Sequence, residues 1–411
     1  MLQQQIQREL QQQIMELRGW WLERMAGGPR PFQEKMVLFW HGHFATSVQK
    51  VREPYFMWRQ NELFRRLATG NWEEMLVHVA QDPAMLVWLD QAQSRREHPN
   101  ENFARELMEL FTLGEGHFTE KDVTEAARAL TGWSLDRANM KFIERPMTHD
   151  RGVKTVLGRT GNLNGYDVIN QVVRQPQAAR FITAKLWNFF AGEMPSPALN
   201  EALAGVFRKS GNQFKPLMRT MFLAEEFYAD HLIRNQVKSP VHWLVNSVRV
   251  LERPLPPTQV SVGLLRNLGQ DLLAPPNVKG WDGGLAWITT NNLLARYNQA
   301  SLLVAGDANA MSQALGGLRN PNRPNAAARG QRLARQMRPG AADISKLLSE
   351  QERANPETLL AALERRLLQG RLKESQGISL LKYLESESTL DDAVVANAIR
   401  LVMATPEFQL T

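Results

Sequence analysis

The sequence predicts an all-α fold, an irregular multi-helix bundle with long loops and no substantial sheet. Apolar residues recur at helical spacing, beginning with Leu2, Ile6, Leu10 and Ile14. Strand signals are absent after residue 165. A chain of 411 residues with 43% hydrophobic and 22% charged residues can form one large core or two ordinary domains.

The first part of the chain predicts several helices that lead into a histidine pair. A glutamine-rich helix opens the chain, and its apolar stripe is predicted to face the core or a partner. The break AGGPRP then precedes a helix that ends near His41-Gly42-His43. On an ideal helix, residues i and i+2 point about 200° apart, so His41 and His43 could share a metal only if Gly42 broke the helix. The alternative is a pair of hydrogen-bonded core histidines. Further helices are predicted at residues 56–67 and 72–80 and from Asp82.

The segment from Arg96 to Trp133 concentrates polar residues between two patterned helices. Asn100 is predicted as the N-cap of the first helix, and Thr119, with Asp122, as the cap of the second. Glu106 lies at the edge of the apolar stripe, and Glu109 lies on its polar side. Glu106 is therefore the carboxylate expected to be partly buried.

The next region is a long polar connection that carries His149-Asp150. This pair could present a ligand or a proton-transfer group, or Asp150 could simply cap the loop. Helices are predicted afterwards at residues 166–173, 178–190, 197–209, 214–222, 344–348, 356–368 and 390–403, and one starts at Ser239-Pro240. An irregular stretch from Pro275 either lines a pocket or forms a tryptophan-anchored structural loop. Its candidate polar residues are Trp281, Asp282, Asn291 and Asn292.

Three regions are predicted: a main helical domain at residues 1–305, a flexible loop at 306–342, and C-terminal helices at 343–411 that pack back on the main domain. From Ala308 to Ala342 there are six arginines and no acidic residue. Few large apolar residues are available to offset the entropy of ordering, so this loop is predicted to be mobile and dispensable for folding. No aromatic residue lies between the arginines, which disfavours binding of single-stranded nucleic acid.

Composition limits the available chemistry. The absence of cysteine excludes disulfides, thiolate ligands and cysteine nucleophiles. A net charge of +7 is compatible with attraction to nucleic acid, anionic lipid or an acidic partner. No apolar run reaches the roughly 18 residues of a membrane span. The N-terminus has no signal-peptide pattern, so a signal, if the protein is exported, is expected upstream of Met1 or already removed.

Five motifs carry a resemblance to a known family. They are ENFARELMELFTLGEGHFTEKDVTEAARALTGW from Glu101, FWHGHFATS from Phe39, HDRGVKTVLG from His149, VKSPVHWLVNSVR from Val237 and PPNVKGWDGGLAWITTNNLLARYN from Pro275. Their order resembles that of the bacterial DUF1800 family, a domain of unknown function. The resemblance implies export, for instance to the periplasm, and a DUF1501-type protein as a partner.

Two classes of function follow. The first is a divalent-metal site with a hydrolytic or redox role, built from His41, His43, Glu106, Glu109 and His149, with Glu106, His149 and Asp150 as catalytic candidates. His41, Glu106 and His149 would then meet at one cavity. The second is a non-catalytic helical scaffold, in which Glu106 pairs with Arg128, or Arg105 with an acidic neighbour. A third hypothesis, that the arginine-rich loop at residues 308–342 binds a polyanion, has the least support.

Overall fold

A computed structural model describes residues 2–306 and 340–411. Within them the chain is predominantly helical, which confirms the predicted fold class. The α-helices are α1 Leu2–Gly27, α2 Pro31–His43, α3 Val48–Val51, α4 Pro54–Arg66, α5 Trp72–Ala80, α6 Pro83–Trp88, α7 Glu101–Glu106, α8 Glu120–Ala129, α9 Gly165–Val173, α10 Pro176–Ala191, α11 Pro197–Lys209, α12 Phe214–Leu223, α13 Pro240–Val250, α14 Thr258–Asn267, α15 Thr290–Ala305, α16 Ile344–Leu347, α17 Pro356–Leu363, α18 Glu374–Ser386, α19 Asp392–Ala404 and α20 Pro406–Gln409.

Local sequence signals explain where many helices start. Asn100 accepts a hydrogen bond from the Asn102 N–H, and Thr119 forms a capping box with Asp122, as predicted. Proline occupies the first turn of α2, α4, α6, α10, α11 and α13, where its missing N–H costs nothing. The element positions in these regions were therefore predictable from the sequence.

Two small antiparallel hairpins occupy the connection that the sequence predicts as irregular. Strand β1 (Trp133–Asp136) pairs with β2 (Lys141–Glu144), and β3 (Lys154–Val156) pairs with β4 (Arg159–Gly161). Leu157 and Gly158 both have positive φ, 47° and 82°, as the two central residues of a type I′ turn require. The region after Trp133 therefore contains regular secondary structure, and His149 and Asp150 lie between its two hairpins.

The chain divides into two compact units. Unit 1 comprises Met1–Ile14, Arg30–Leu232 and Leu273–Asp282, and unit 2 comprises Met15–Pro29, Ile233–Leu272 and Gly283–Thr411. These boundaries differ from the three predicted regions, whose folding as separate parts stays a prediction. The predicted mobile loop lies almost entirely outside the described residues, since residues 307–339 are not described.

An aromatic core organises unit 1. Trp40 packs against Phe44 and Trp72, with ring centroids 5.7 Å away in each case, and against Phe214 at 5.0 Å. Trp40 also donates its indole N–H to the Ala68 carbonyl, so its polar atom is satisfied inside the core. This core fixes the C-terminal end of α2, where the two histidines lie.

In unit 2, α15 packs against α19. The residues just before α13 pair with the chain end through an antiparallel bridge between Val237 and Leu410. Arg296 is buried and donates to the Gln409 side chain at 3.0 Å and to the Lys238 carbonyl at 2.7 Å. The Lys238 ammonium donates to the Phe408 carbonyl. These polar contacts hold the C-terminal segment against the residues that precede α13.

Candidate functional site

The C-terminal end of α2 binds the segment that follows Leu272. The helix continues unbroken to His43, so Gly42 does not form the break that a shared metal role for both histidines requires. The Leu273 N–H donates to His41 Nε2 at 3.2 Å, and the Trp281 ring lies 5.5 Å from the His41 ring. His41 therefore holds this segment of unit 1 at both ends.

Gly280 lies close against the backbone of Gly42. Its φ is +85°, and a Cβ built on it would lie 2.4 Å from the Gly42 carbonyl oxygen. A side chain is therefore excluded at Gly280 both by backbone conformation and by space. At Gly280, the backbone of the GWDGG motif therefore packs directly against the backbone of α2 at Gly42.

His43 is a core histidine. Its ring is enclosed by Phe39, Phe44 and Phe111, and its Nε2 lies 3.0 Å from the Phe111 carbonyl oxygen. Burial lowers the pKa of His43 well below its usual value, and the nearby Lys185 ammonium lowers it further. In a neutral ring, Nε2 must carry the proton and donate it to the carbonyl, so Nδ1 is unprotonated. Nδ1 has no hydrogen-bond partner.

A π-helical segment, Leu107–Thr112, follows α7 directly. The Leu113 N–H reaches back to the Met108 carbonyl at 2.8 Å, a spacing of five residues. Side chains from other elements then bind the displaced carbonyls: Lys185 donates to Leu110 and His43 to Phe111. Such π-segments often occur at functional sites.

Glu106 lies at the junction of α7 and the π-segment. It is half-buried, as predicted, and its Oε2 is buried without a hydrogen-bond partner. Burial and the neighbouring Glu109 raise the pKa of Glu106, while Arg105 and Lys279 act in the opposite direction. The predicted pairing of Glu106 with Arg128 is not formed, because Arg128 binds Asp150 and Glu125.

Arg105 does pair with acidic neighbours, as the scaffold hypothesis predicts. Its guanidinium forms ion pairs with Glu101 at 3.4 Å and with Glu120 at 2.7 Å. These contacts connect the first turns of α7 and α8. The ion pairs of Arg105 are thus formed with Glu101 and Glu120.

His149 and Asp150 bind the loop between the hairpins to α8. His149 Nδ1 lies 2.9 Å from the Thr131 carbonyl oxygen, and Asp150 accepts from Arg128 Nε at 2.7 Å. The Arg128 hydrogen bond is the first cause that lowers the pKa of Asp150. Asp150 is thus an ionised partner of an arginine, and the convergence of His149 with His41 and Glu106 on one cavity stays a prediction.

The other candidates are distributed over both units. Asp282 is exposed at the end of unit 1. In unit 2, Asn291 is exposed, and Asn292 donates to the Trp287 carbonyl at 3.5 Å. These residues anchor or flank the irregular stretch.

The five predicted metal ligands are not assembled as a set. Across residues 2–306 and 340–411, no three His, Asp or Glu side chains are grouped so that they could hold a metal ion. No described helix is both long and apolar enough to cross a membrane.

Two basic residues near these groups were not predicted from the sequence. Lys279 approaches Glu106, and only its position beside Trp281 in a singled-out motif could have drawn attention to it. Lys185 donates to the Leu110 carbonyl at 3.4 Å and lies 5.0 Å from the Phe181 ring centre. The sequence feature that could have indicated Lys185 is its position one turn after Phe181, within an otherwise apolar stripe of α10.

Fold and site together define a predominantly helical protein whose motif residues fasten loops to helices. The chain belongs to the family described as "Protein of unknown function (DUF1800)", whose model matches residues 2–410. No curated protein and no solved structure matches the chain.

Proposed function

We propose that this protein is a non-catalytic helical scaffold that binds a protein partner through an exposed aromatic surface of unit 1. The surface comprises Phe32, Phe222, Leu223, Phe227 and Tyr228, and it is the observation that carries the proposal. Leu223 is 68% exposed, Tyr228 66% and Phe32 39%. Contiguous exposed apolar groups of this kind mark interaction sites in soluble proteins.

Ring contacts connect this surface into one patch. Phe222 lies 5.6 Å from Phe32 and 5.3 Å from Phe227, measured between ring centroids, and Phe227 lies 5.5 Å from Tyr228. Tyr228 also donates its hydroxyl to the Phe222 carbonyl at 2.8 Å, which holds the exposed ring in place. Rigid aromatic side chains lose little entropy on binding and are enriched at protein interfaces.

The internal hydrogen bonds of the motif residues support the scaffold over a metal centre. His41 accepts from a backbone N–H, His43 and His149 bind backbone carbonyls, and Asp150 binds Arg128. As partner we propose a DUF1501-type protein, which the sequence resemblance suggests. Export, also suggested by the resemblance, would place both proteins outside the cytoplasm.

The test is titration calorimetry with a purified DUF1501-type protein from the same genome. Leu223→Asp should weaken binding by about 30-fold or more, the cost of removing a hot-spot residue of about 2 kcal/mol. Met147→Asp is the matched control, because Met147 is 81% exposed in the same unit but outside the surface. Absence of binding by the wild type, or equal binding by both variants, would refute the proposal.

The buried Oε2 of Glu106 favours a second candidate, the metal-dependent or acid–base site. A buried carboxylate oxygen without a donor is costly, and a ligand or metal ion bound there would remove the cost. Glu106→Gln keeps the shape and removes the charge. If Glu106 belongs to a metal site, the wild type should contain metal in stoichiometric amount and the variant should lose it without a large change in melting temperature.

A metal-free wild type whose melting temperature does not respond to added Zn²⁺, Mn²⁺ or Mg²⁺ would count against that second candidate. A ligand at a hundred times its dissociation constant should stabilise the protein by about 2.7 kcal/mol. Metal analysis and thermal denaturation of wild type and Glu106→Gln therefore separate the two functions.

A further inference from the structure

Unit 2 contains a cavity of about 660 Å³, within the range of small-molecule sites. Its walls come from the C-terminal half of α1, the end of α13 and the proline-rich segment that precedes α14. Leu22, Val248 and Leu255 provide apolar lining, together with the rings of residues 254, 256 and 257. A cavity of this composition suits an apolar molecule.

Arg253 brings a guanidinium to this cavity. The α13 helix ends in a tight turn in which Glu252 has a φ of 44° and the Arg253 N–H donates to the Val248 carbonyl at 3.0 Å. Arg253 Nη1 then donates to the Leu303 carbonyl, while its Nε is buried without a partner. The guanidinium therefore has one nitrogen bound and one N–H without an acceptor.

The neighbouring charges leave Arg253 without an ion pair among the described residues. The Glu252 carboxylate binds Arg366 instead, at 2.7 Å. Burial lowers the pKa of Arg253, and no carboxylate opposes this effect. Arg249, one turn earlier, is an exposed second cation at the cavity, and Glu23 is the exposed acid on the α1 side.

The N-terminus of α14 meets the same cavity. Thr258, its first residue, lines the cavity, and Pro257 at the N-cap position makes no side-chain capping bond. The first N–H groups of a helix have no intrahelical acceptor and favour a negative charge. This helix end adds to the preference for an anion that Arg253 already establishes.

We propose that this cavity binds a small apolar carboxylate, with the carboxylate on the Arg253 guanidinium and the apolar part against the α1 and proline-rich walls. Arginine binds carboxylates strongly through its N–H groups, and Arg253 both lines the cavity and has an N–H without an acceptor. The proposal is independent of the partner surface in unit 1.

The test uses octanoate as the probe and octanamide as its uncharged counterpart, with titration calorimetry on the full chain. We expect octanoate to bind the wild type more tightly than octanamide. Arg253→Gln should weaken octanoate binding by about 10-fold to 150-fold, the range for a hydrogen bond to a charged group, and leave octanamide binding unchanged. Arg8→Gln is the matched control, since it removes the same charge from an exposed position outside the cavity.

A second variant keeps the proposal testable if Arg253→Gln lowers the melting temperature. Gly27 lines the cavity and a Cβ built on it meets no atom within 4 Å, so Gly27→Leu can enter the cavity without a clash at its Cβ. This variant should weaken both probes. The proposal is overturned if octanoate shows no binding up to about 10 mM, if both probes bind the wild type equally, or if neither cavity variant changes octanoate affinity.

Discussion

The buried ion pair between Glu34 and Arg65 provides the sharpest test of how unit 1 is stabilised. Arg65 binds Glu34 through two contacts, from Nε at 2.7 Å and from Nη2 at 2.8 Å. The exposed fractions of the two residues are only 3% and 5%. The substitution Glu34→Gln would leave the buried Arg65 guanidinium with a neutral amide oxygen, a weaker acceptor than the carboxylate.

The expected cost is about 3 to 5 kcal/mol, the usual result when one partner of a buried pair is removed. Arg65 retains Glu62 and Asn61 as acceptors, so the cost should not exceed this range. For a unit of this size, each kcal/mol lowers the melting temperature by about 2 to 4 °C, which predicts a decrease of about 6 to 20 °C. Differential scanning calorimetry measures it directly.

Glu201→Gln is the matched control. Glu201 also accepts from two arginines, Arg180 and Arg208, but all three side chains are exposed, so its loss should lower the melting temperature far less than the loss of Glu34. Equal effects of the two variants would refute the reasoning. The double variant Glu34→Met with Arg65→Leu should recover most of the loss, because it leaves no buried charge unpaired.

Two further predictions concern the surroundings of the candidate site. Gly280→Ala should destabilise unit 1 by about 1 to 3 kcal/mol, because the new side chain would strain the backbone and clash with Gly42. Urea denaturation measures this loss. As the control, Gly205→Ala should be neutral or slightly stabilising, since Gly205 lies inside α11 with open space around it. Burial lowers the pKa of Lys185 from 10.5 to about 8, so the wild type loses stability as the pH falls through this interval. Lys185→Met should remove that dependence and be the more stable protein at pH 7; a stability difference that does not change between pH 7 and pH 10.5 would contradict this assignment.

Local signals made most of the helical fold predictable. The bounds predicted for residues 72–80 and 197–209 agree with α5 and α11, because Asn71 and Ser196 each cap the helix that follows. Helix α14 was not predicted, because prolines 254, 256 and 257 before it indicate the end of α13 but not the start of another helix. The hairpins were missed because strands of three or four residues are too short for alternation to be recognised.

The candidate site was less predictable, because its contacts join residues that are distant in sequence. Partial burial of Glu106 followed from its position at the edge of an apolar stripe, which is a local property. The approach of Lys279 and the contact of Gly280 with Gly42 depend on how a later segment returns to α2. The roles of His43 and His149 likewise depend on carbonyls that only the folded chain brings within reach.

The return of Leu273–Asp282 to unit 1 has a consequence for synthesis of the protein on the ribosome. Unit 1 is otherwise complete at Leu232, but the segment that binds His41 and Gly42 is made only after Ile233–Leu272 of unit 2. At about 5 to 20 residues per second, the ribosome needs about 3 to 10 s to add residues 233–282, which end with this segment. During that interval the C-terminal end of α2 lacks its backbone partner, so a nascent chain stalled before Leu273 should expose this surface to chaperones and proteases.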